Sequence, residues 1–266
     1  MKRKPFILIT NDDGITAPGL AVLYQSMMRL GEVAVVAPDR EMSAAGHAIT
    51  LSKPLRANEV KLEGGVVGHA VNGTPADCVK IAVKALLDRE PDLVVSGINL
   101  GSNTGINVIY SGTVSAATEG VILGIPSIAF SLATWEQPDF RASGKIATLL
   151  AREILQQSLP ANTLLNVNIP PLPMEEIKGI RVTKQGKAIF DEQFDKRLDP
   201  RSRPYYWMTG TRLPEEEEDG SDDRMVQEGY VSVTPIQYDL THYNFLESLR
   251  KWPIFSNGKI ELRKVS

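Results

Sequence analysis

Apolar and polar positions alternate along this chain in two periods. Four consecutive apolar residues, Phe6 to Ile9, form a short run that reads as a buried strand. Leu20, Leu23, Met27 and Leu30 then keep helical spacing, with Thr16 as a candidate cap, Pro18 in the first turn and Gly31 as a stop. Val33–Val36 predicts a second strand and Val66–Val71 another. Thr74, Pro75 and Asp77 spell a capping box ahead of the apolar face Val79, Ala82, Val83, Leu86 and Leu87. Leu93–Val95, Pro126–Ser131 and Leu164–Ile169 predict further strands. Helices are predicted from Ser111 towards Gly124 and along Ile146, Leu149, Leu150 and Ile154.

Continuous apolar strands separated by helices predict an α/β fold with a doubly wound, mostly parallel sheet. Beyond residue 175 the helical period fades. Alternating pieces at Ile180–Thr183 and Tyr230–Thr234 and a helix over Thr241–Leu249 replace it. The expected division is a catalytic core at 1–175 and a C-terminal region of hairpins and helix at 176–266, suited to lid or partner contacts. Tyr205, Tyr206 and Trp207 read as packing aromatics, and the acidic run from Glu215 to Asp219 as a solvated loop.

Composition narrows the chemistry. The chain has 266 residues, 42% hydrophobic and 23% charged, with a net charge of −3, so nothing global attracts nucleic acid or an anionic membrane. A single cysteine, Cys78, rules out an intrachain disulfide, and it reads as a small buried hydrophobe. Three histidines disfavour an imidazole zinc site. The basic start lacks a signal-peptide apolar run, and no later run reaches membrane-spanning length. A cytoplasmic location is the expectation.

The first strand runs into Asn11-Asp12-Asp13-Gly14. Strand ends of an open α/β sheet face the ligand crevice, where two adjacent carboxylates repel unless a cation neutralises them. Both a turn and a Mg²⁺- or Mn²⁺-type site fit this tetrapeptide alone. Ser43, beyond the second strand, and Asn99, beyond the third, fall on the same sheet edge and add neutral oxygens. His47 lies in the loop carrying Ser43; as a lone histidine it is a weak candidate acid, as Asp13 is a weak candidate base. The Gly- and Asn-rich stretch with Gly101, Ser102 and Asn103, and the helix start Ser111-Gly112-Thr113, offer amides and hydroxyls to a phosphate together with Asn11. No G-x-G-x-x-G or P-loop is present. With no Ser–His pair or evident nucleophilic cysteine, metal-activated water attacking a phosphomonoester is the economical reading.

Six stretches carry a family resemblance: Ile9–Gly14, Ala37–Arg40 with Ser43, Val71–Asp77, Ser96–Gly101, Tyr110–Ala117 and Val231–Pro235. Through them the chain resembles the SurE survival-protein family of metal-dependent nucleotidases over essentially its whole length. The resemblance implies a Rossmann-like fold and hydrolysis of nucleoside 5′- or 3′-monophosphates. One Mg²⁺ or Mn²⁺ per subunit would sit on Asp12, Asp13, Ser43 and Asn99, with Asp12, Asp13 and Asn99 catalytic. It further implies a homodimer or homotetramer with exchanged C-terminal segments. Ala44 departs from the glycine many members carry after the metal serine. A haloacid-dehalogenase-like phosphatase would need its nucleophilic aspartate where Asn11 stands, and a non-catalytic nucleotide-binding regulator would use the same pocket without turnover.

Overall fold

The computed structural model describes residues 3–136, 138–187, 190–212 and 219–256. Strands β1 (Phe6–Thr10), β2 (Glu32–Pro38), β3 (Ala57–Lys61), β4 (Val67–Val71), β5 (Leu93–Leu100), β6 (Ser127–Leu132), β7 (Leu164–Ile169), β8 (Ile180–Val182) and β11 (Val231–Ile236) form one sheet in the order β3-β4-β2-β1-β5-β6-β7-β11-β8. From β4 to β7 every pairing is parallel, and β3 and β11 each add an antiparallel neighbour. Strands β9 (Phe190–Leu198) and β10 (Pro204–Arg212) make a separate hairpin.

The fold is the α/β arrangement expected from the pattern. Chain order runs outward from β1 to β2 and β4, then jumps back to place β5 on the other side of β1. The β1/β5 boundary is therefore the topological switch point, where the carboxyl ends of parallel strands open a crevice. Helices α1 (Pro18–Met27) and α5 (Arg141–Gln157) cover one face; α2 (Pro75–Ile81) and α4 (Gly112–Ile122) cover the other. The first pair packs over Ile7, Ile9, Val95, Ile128 and Phe130, the second over Leu8, Val36 and Val94, so alternate residues of each strand feed opposite cores.

Several local expectations change. Ala17, not Thr16, is the N-cap of α1, and it makes no side-chain cap; Pro18 alone starts the helix. The capping box of Thr74 and Asp77 is present in both directions. Its helix passes into a π-helical turn over Ala82–Leu86 before strand β5. Strand β3 escaped the sequence pattern because its residues, ANEVK, are those of a half-exposed edge.

Segments beyond residue 175 are not all peripheral. Val231 to Thr234 are buried, and β11 bridges β7 and β8 inside the main sheet. Short antiparallel strands alternate where parallel ones run continuous, which disguised this core contribution. By contrast Tyr205, Tyr206 and Trp207 are exposed on β10 rather than packed. Glu215–Glu218 lie outside the described residues. Helices α6 (Asp222–Gln227), α7 (Tyr243–Arg250) and α8 (Pro253–Ser256) follow the hairpin, and α3 (Asn107–Tyr110) is one turn ahead of α4. Among the described residues no helix is long and apolar enough to cross a membrane.

Candidate metal and phosphate site

Burial and repulsion dominate the carboxyl end of β1. Asp12 is only 4% exposed, and burial above all holds its pKa above the usual carboxylate range. Thr113 opposes this, its hydroxyl and its backbone amide both donating to the Asp12 carboxylate. Burial first, then the adjacent Asp12 charge, pushes Asp13 up to about 6, while the Leu100 amide donates to its carboxylate and lowers it. Glu41 raises both further. Among the described residues, the donors bonded to the pair are neutral.

Three segments close around the pair. The loop after β2 is anchored by the Met42 amide donating to the Asp12 carbonyl at 2.7 Å. Ser43, one residue on, turns its hydroxyl to Glu41 Oε1 at 2.6 Å. At the end of β5, Asn99 donates its Nδ2 to the carbonyls of Leu100 (3.2 Å) and Gly101 (2.8 Å), which points its amide nitrogen into the loop. From the other side comes α4, capped by Ser111 Oγ accepting from the Val114 amide at 3.0 Å. A Cβ on Gly112 would sit 2.7 Å from Asp12 Cβ, so the helix start and the acid are in contact.

The remaining residues singled out from the sequence divide by what their side chains hold. Asn11 donates Nδ2 to the Gly14 carbonyl at 2.9 Å, and its Oδ1 is buried with no hydrogen-bond partner among the described residues. Gly101 has φ +102°, and a Cβ there would meet the Trp135 ring at 2.3 Å. Asn103 is not gathered to the acids. Its Nδ2 donates to Ser131 Oγ at 2.8 Å, and its backbone is bonded by Asn166 and Asn168, fixing the loop across the ends of β6 and β7. Ser102 stands between, on the wall of a neighbouring cavity.

His47 does not face the acid pair as a free imidazole. Its Nε2 lies 3.0 Å from Glu119 Oε2, and Lys80 donates its ammonium to Glu119 Oε1. Burial opposes ionisation of Glu119, but the hydrogen bonds from His47 and Lys80 outweigh it and hold the pKa low. Sequence reading missed Glu119; its one signal was a lone acid inside the apolar run Val114–Ile122. Asp222 was missed too. It is fully buried and accepts from the amides of Gly105 (3.1 Å) and Gly186 (2.8 Å), tying the loop after β5 to distant chain.

The donor set suits a hard divalent cation. Carboxylate, amide and hydroxyl oxygens are present, no group of three His, Cys, Asp or Glu side chains gathers among the described residues, and the two acids carry repulsion that a cation relieves. The orphaned Asn11 Oδ1 is a further buried acceptor at the same strand end.

Known proteins resemble the chain along most of its length. The family model described as Survival protein SurE matches residues 7–192. A protein of Syntrophus aciditrophicus named 5′-nucleotidase SurE is 52% identical over 244 residues, 91% of this chain and 92% of that one. Another with the same name, from Moorella thermoacetica, is 52% identical over 250 residues, 94% and 96% of the two chains. The crystal structure of the SurE protein from Aquifex aeolicus superposes with a TM-score of 0.82 at 44% identity, covering 92% of this chain and 98% of that one. The chain belongs to the SurE family.

Proposed function

We propose that this protein is a divalent-metal-dependent 5′-nucleotidase. It hydrolyses nucleoside 5′-monophosphates, and 3′-monophosphates, to nucleoside and inorganic phosphate. The observation that carries the reading is the pair at the β1/β5 switch point, Asp12 buried against the N-terminus of α4 and Asp13 half-buried beside it. The names of the relatives support the same reaction.

Asp12, Asp13, Ser43 and Asn99 would hold one Mg²⁺ or Mn²⁺ per subunit, which would supply Lewis acidity and lower the pKa of water. Ser43, whose hydroxyl donates to Glu41 Oε1, would release that bond to serve as a ligand. The amides of Ser102 and Gly112 receive the phosphate oxygens, while Gly101, whose amide donates to the Leu132 carbonyl at 2.9 Å, shapes the loop beside them. Thr113 and Asn11 fix the acids and the turn that follows them; Ser111 and Asn103 set the helix start and the loop. Water adds to phosphorus, the nucleoside oxygen leaves with a proton, and inorganic phosphate remains.

The same reading makes the protein a cytoplasmic homodimer or homotetramer joined through residues 176–266. Exposed Phe194, Leu198, Trp207 and Met208 on the hairpin, and Leu240, Trp252, Ile254 and Phe255 near the C-terminus, support this.

Phosphate release from 5′- and 3′-AMP by chelator-stripped protein tests the reaction. Added Mg²⁺ or Mn²⁺ restores turnover in the parent, and Asp12→Asn abolishes it while the far-ultraviolet spectrum stays unchanged. Near-normal release by folded Asp12→Asn refutes the site; no release by the parent with any metal leaves the non-catalytic binder as the better reading.

A further inference from the structure

Ser43 sits on a strained turn. The Ala45 amide donates to the Met42 carbonyl at 3.3 Å, so Ser43 and Ala44 are the two central residues of that turn. Ala44 has φ +56°, in the left-handed region that glycine enters freely and alanine only against a steric cost. A strained conformation persists where its surroundings over-determine it. The near end of this turn is set by the Met42 amide on the Asp12 carbonyl.

The far end is fastened to two helices. Gly46 donates its amide at 3.0 Å to the carbonyl of Tyr110, the last residue of α3. Next along the loop, His47 reaches Glu119 Oε2 at 3.0 Å while Lys80 of α2 holds Glu119 Oε1. Beyond it, the capping box of α2 is used a second time. Thr74 Oγ1 donates to the Ala48 carbonyl at 2.7 Å, and Asp77 Oδ1 accepts from the Thr50 amide at 2.9 Å.

Glu119 joins this loop to the acid pair. Its side chain is 2% exposed and is held ionised, so its oxygens only accept and His47 Nε2 is the donor. The helix that carries Glu119 begins against Asp12, where the Thr113 hydroxyl donates to the Asp12 carboxylate. Glu119 stands about 10 Å along that same helix. Both ends of the Ser43 turn are therefore referred to Asp12, one through its carbonyl and the other through α4.

Resting on the metal site of the nucleotidase reading, we infer that Lys80, Glu119 and His47 are positioning residues for the cation: they hold the Ser43 turn at the spacing from Asp12 that makes Ser43 Oγ a ligand. Lys80 keeps the buried carboxylate charged, and the charged carboxylate holds His47. Their effect passes through Ser43 and falls on cation affinity.

The experiment is calorimetric titration of the chelator-stripped, substrate-free full chain with Mn²⁺, beside phosphate release from 5′-AMP. His47→Leu and His47→Ala both remove the donor at a partly exposed position. His47→Gln restores an N–H at the same number of bonds from the backbone. Expected in folded His47→Leu or His47→Ala is a Mn²⁺ Kd raised about tenfold or more, the usual effect of removing an outer partner of a metal ligand. His47→Gln stays within about twofold of the parent, and adding His47→Leu to Ser43→Ala changes the Kd by no more than about twofold. A loss of stability with the Kd unchanged, failure of His47→Gln to restore affinity, or the full loss recurring in the Ser43→Ala background overturns the inference. Any of these in a parent that releases phosphate leaves the nucleotidase reading standing. No Mn²⁺ binding by the parent at millimolar concentration also overturns the inference. A parent that binds Mn²⁺ with the expected pattern across the variants, yet releases no phosphate, upholds the positioning role and refutes the nucleotidase reading instead.

Discussion

Gly112→Ala separates the site from the fold with a single methyl group. The new Cβ would lie 2.7 Å from Asp12 Cβ, 2.9 Å from Asp12 Oδ2 and 3.1 Å from Pro75 Cγ. Ordinary carbon contacts begin near ~3.5 Å, so something must move by roughly 0.8 Å. Pro75 is a rigid ring in the first turn of α2 and blocks retreat of the helix on that side. Asp12 is left to yield. Overpacking costs about 1–3 kcal/mol, but replacing glycine by alanine inside a helix returns roughly 0.5–1 kcal/mol, so the net loss of stability is modest. A misplacement approaching 1 Å at a catalytic group lowers turnover by about a hundredfold. Gly120→Ala in the same helix is the control. Its Cβ would sit 2.3 Å from Ser127 Oγ and 3.0 Å from Val94, two turns away from the acids. Phosphate-release kinetics at saturating metal and urea midpoints on both variants give the answer. Expected are a loss of about a hundredfold in kcat/KM for Gly112→Ala with a small shift in midpoint, and the reverse for Gly120→Ala. Folded Gly112→Ala with about half its parent kcat/KM, or equal activity losses in both, refutes the placement of α4 against Asp12.

Asp13 has a folded pKa near 6, raised from 3.8, so the folded metal-free chain binds more protons than the unfolded one between those values. Stability of the chelated protein therefore falls as pH rises from about 4 through 6. Asp13→Asn flattens that part of the urea-midpoint profile, and an unchanged slope counts against the burial and repulsion assigned here. Glu119 has the opposite sign, its pKa being held low, so its contribution is present above its unfolded pKa and fades in acid. Glu119→Gln lowers stability by about 1–2 kcal/mol at neutral pH, discounted because Lys80 and His47 are partly exposed. Thermal melts at pH 7 and pH 4 check it, and an equal loss at both is the wrong result. Removing residues 239–266 deletes α7 and α8 but spares β11, and should reduce the sedimentation coefficient to that of a smaller assembly. A cut near residue 230 tests nothing of the kind, since it takes β11 out of the sheet.

Legibility in the sequence followed the range of the interactions. Strands β1, β2, β5, β6 and β7 are continuous apolar runs because both their faces are covered, and such runs are visible within a short window. The capping box of Thr74 and Asp77 is equally local. Asp12 and Asp13 stood out because two adjacent acids directly after a buried strand are costly without a reason. Glu119 was hidden because its partners lie 72 and 39 residues away, in a loop and another helix. Asp222 was hidden for the same cause, its amide donors being 117 and 36 residues distant. Strand β11 reads as an isolated alternating piece until β7 is beside it. Ser43 illustrates an intermediate case: its loop follows the second strand and reaches the acids, as expected, but only the Met42 amide bond explains how the loop is held there.

The placement of the acids also explains why so much of the surrounding chain is tied down. Asp12 and Asp13 follow β1, Ser43 follows β2 and Asn99 ends β5, so the donor set is spread over three adjacent strands, β2, β1 and β5. No local turn can keep such a set together, because crossovers separate β1 from β2 and β2 from β5. Accuracy has to come from buried, long-range fastenings. Those are what the structure supplies: the Met42 amide on Asp12, the Leu100 amide on Asp13, the start of α4 against Asp12, and the Glu119 clamp joining α4 to α2 and to the loop of Ser43 through His47. With neutral donors as their bonded partners among the described residues, the two acids remain destabilising to the folded chain at neutral pH. On the proposed function a cation bound between them offsets that cost, which would make cation binding and stability of the central sheet one coupled equilibrium.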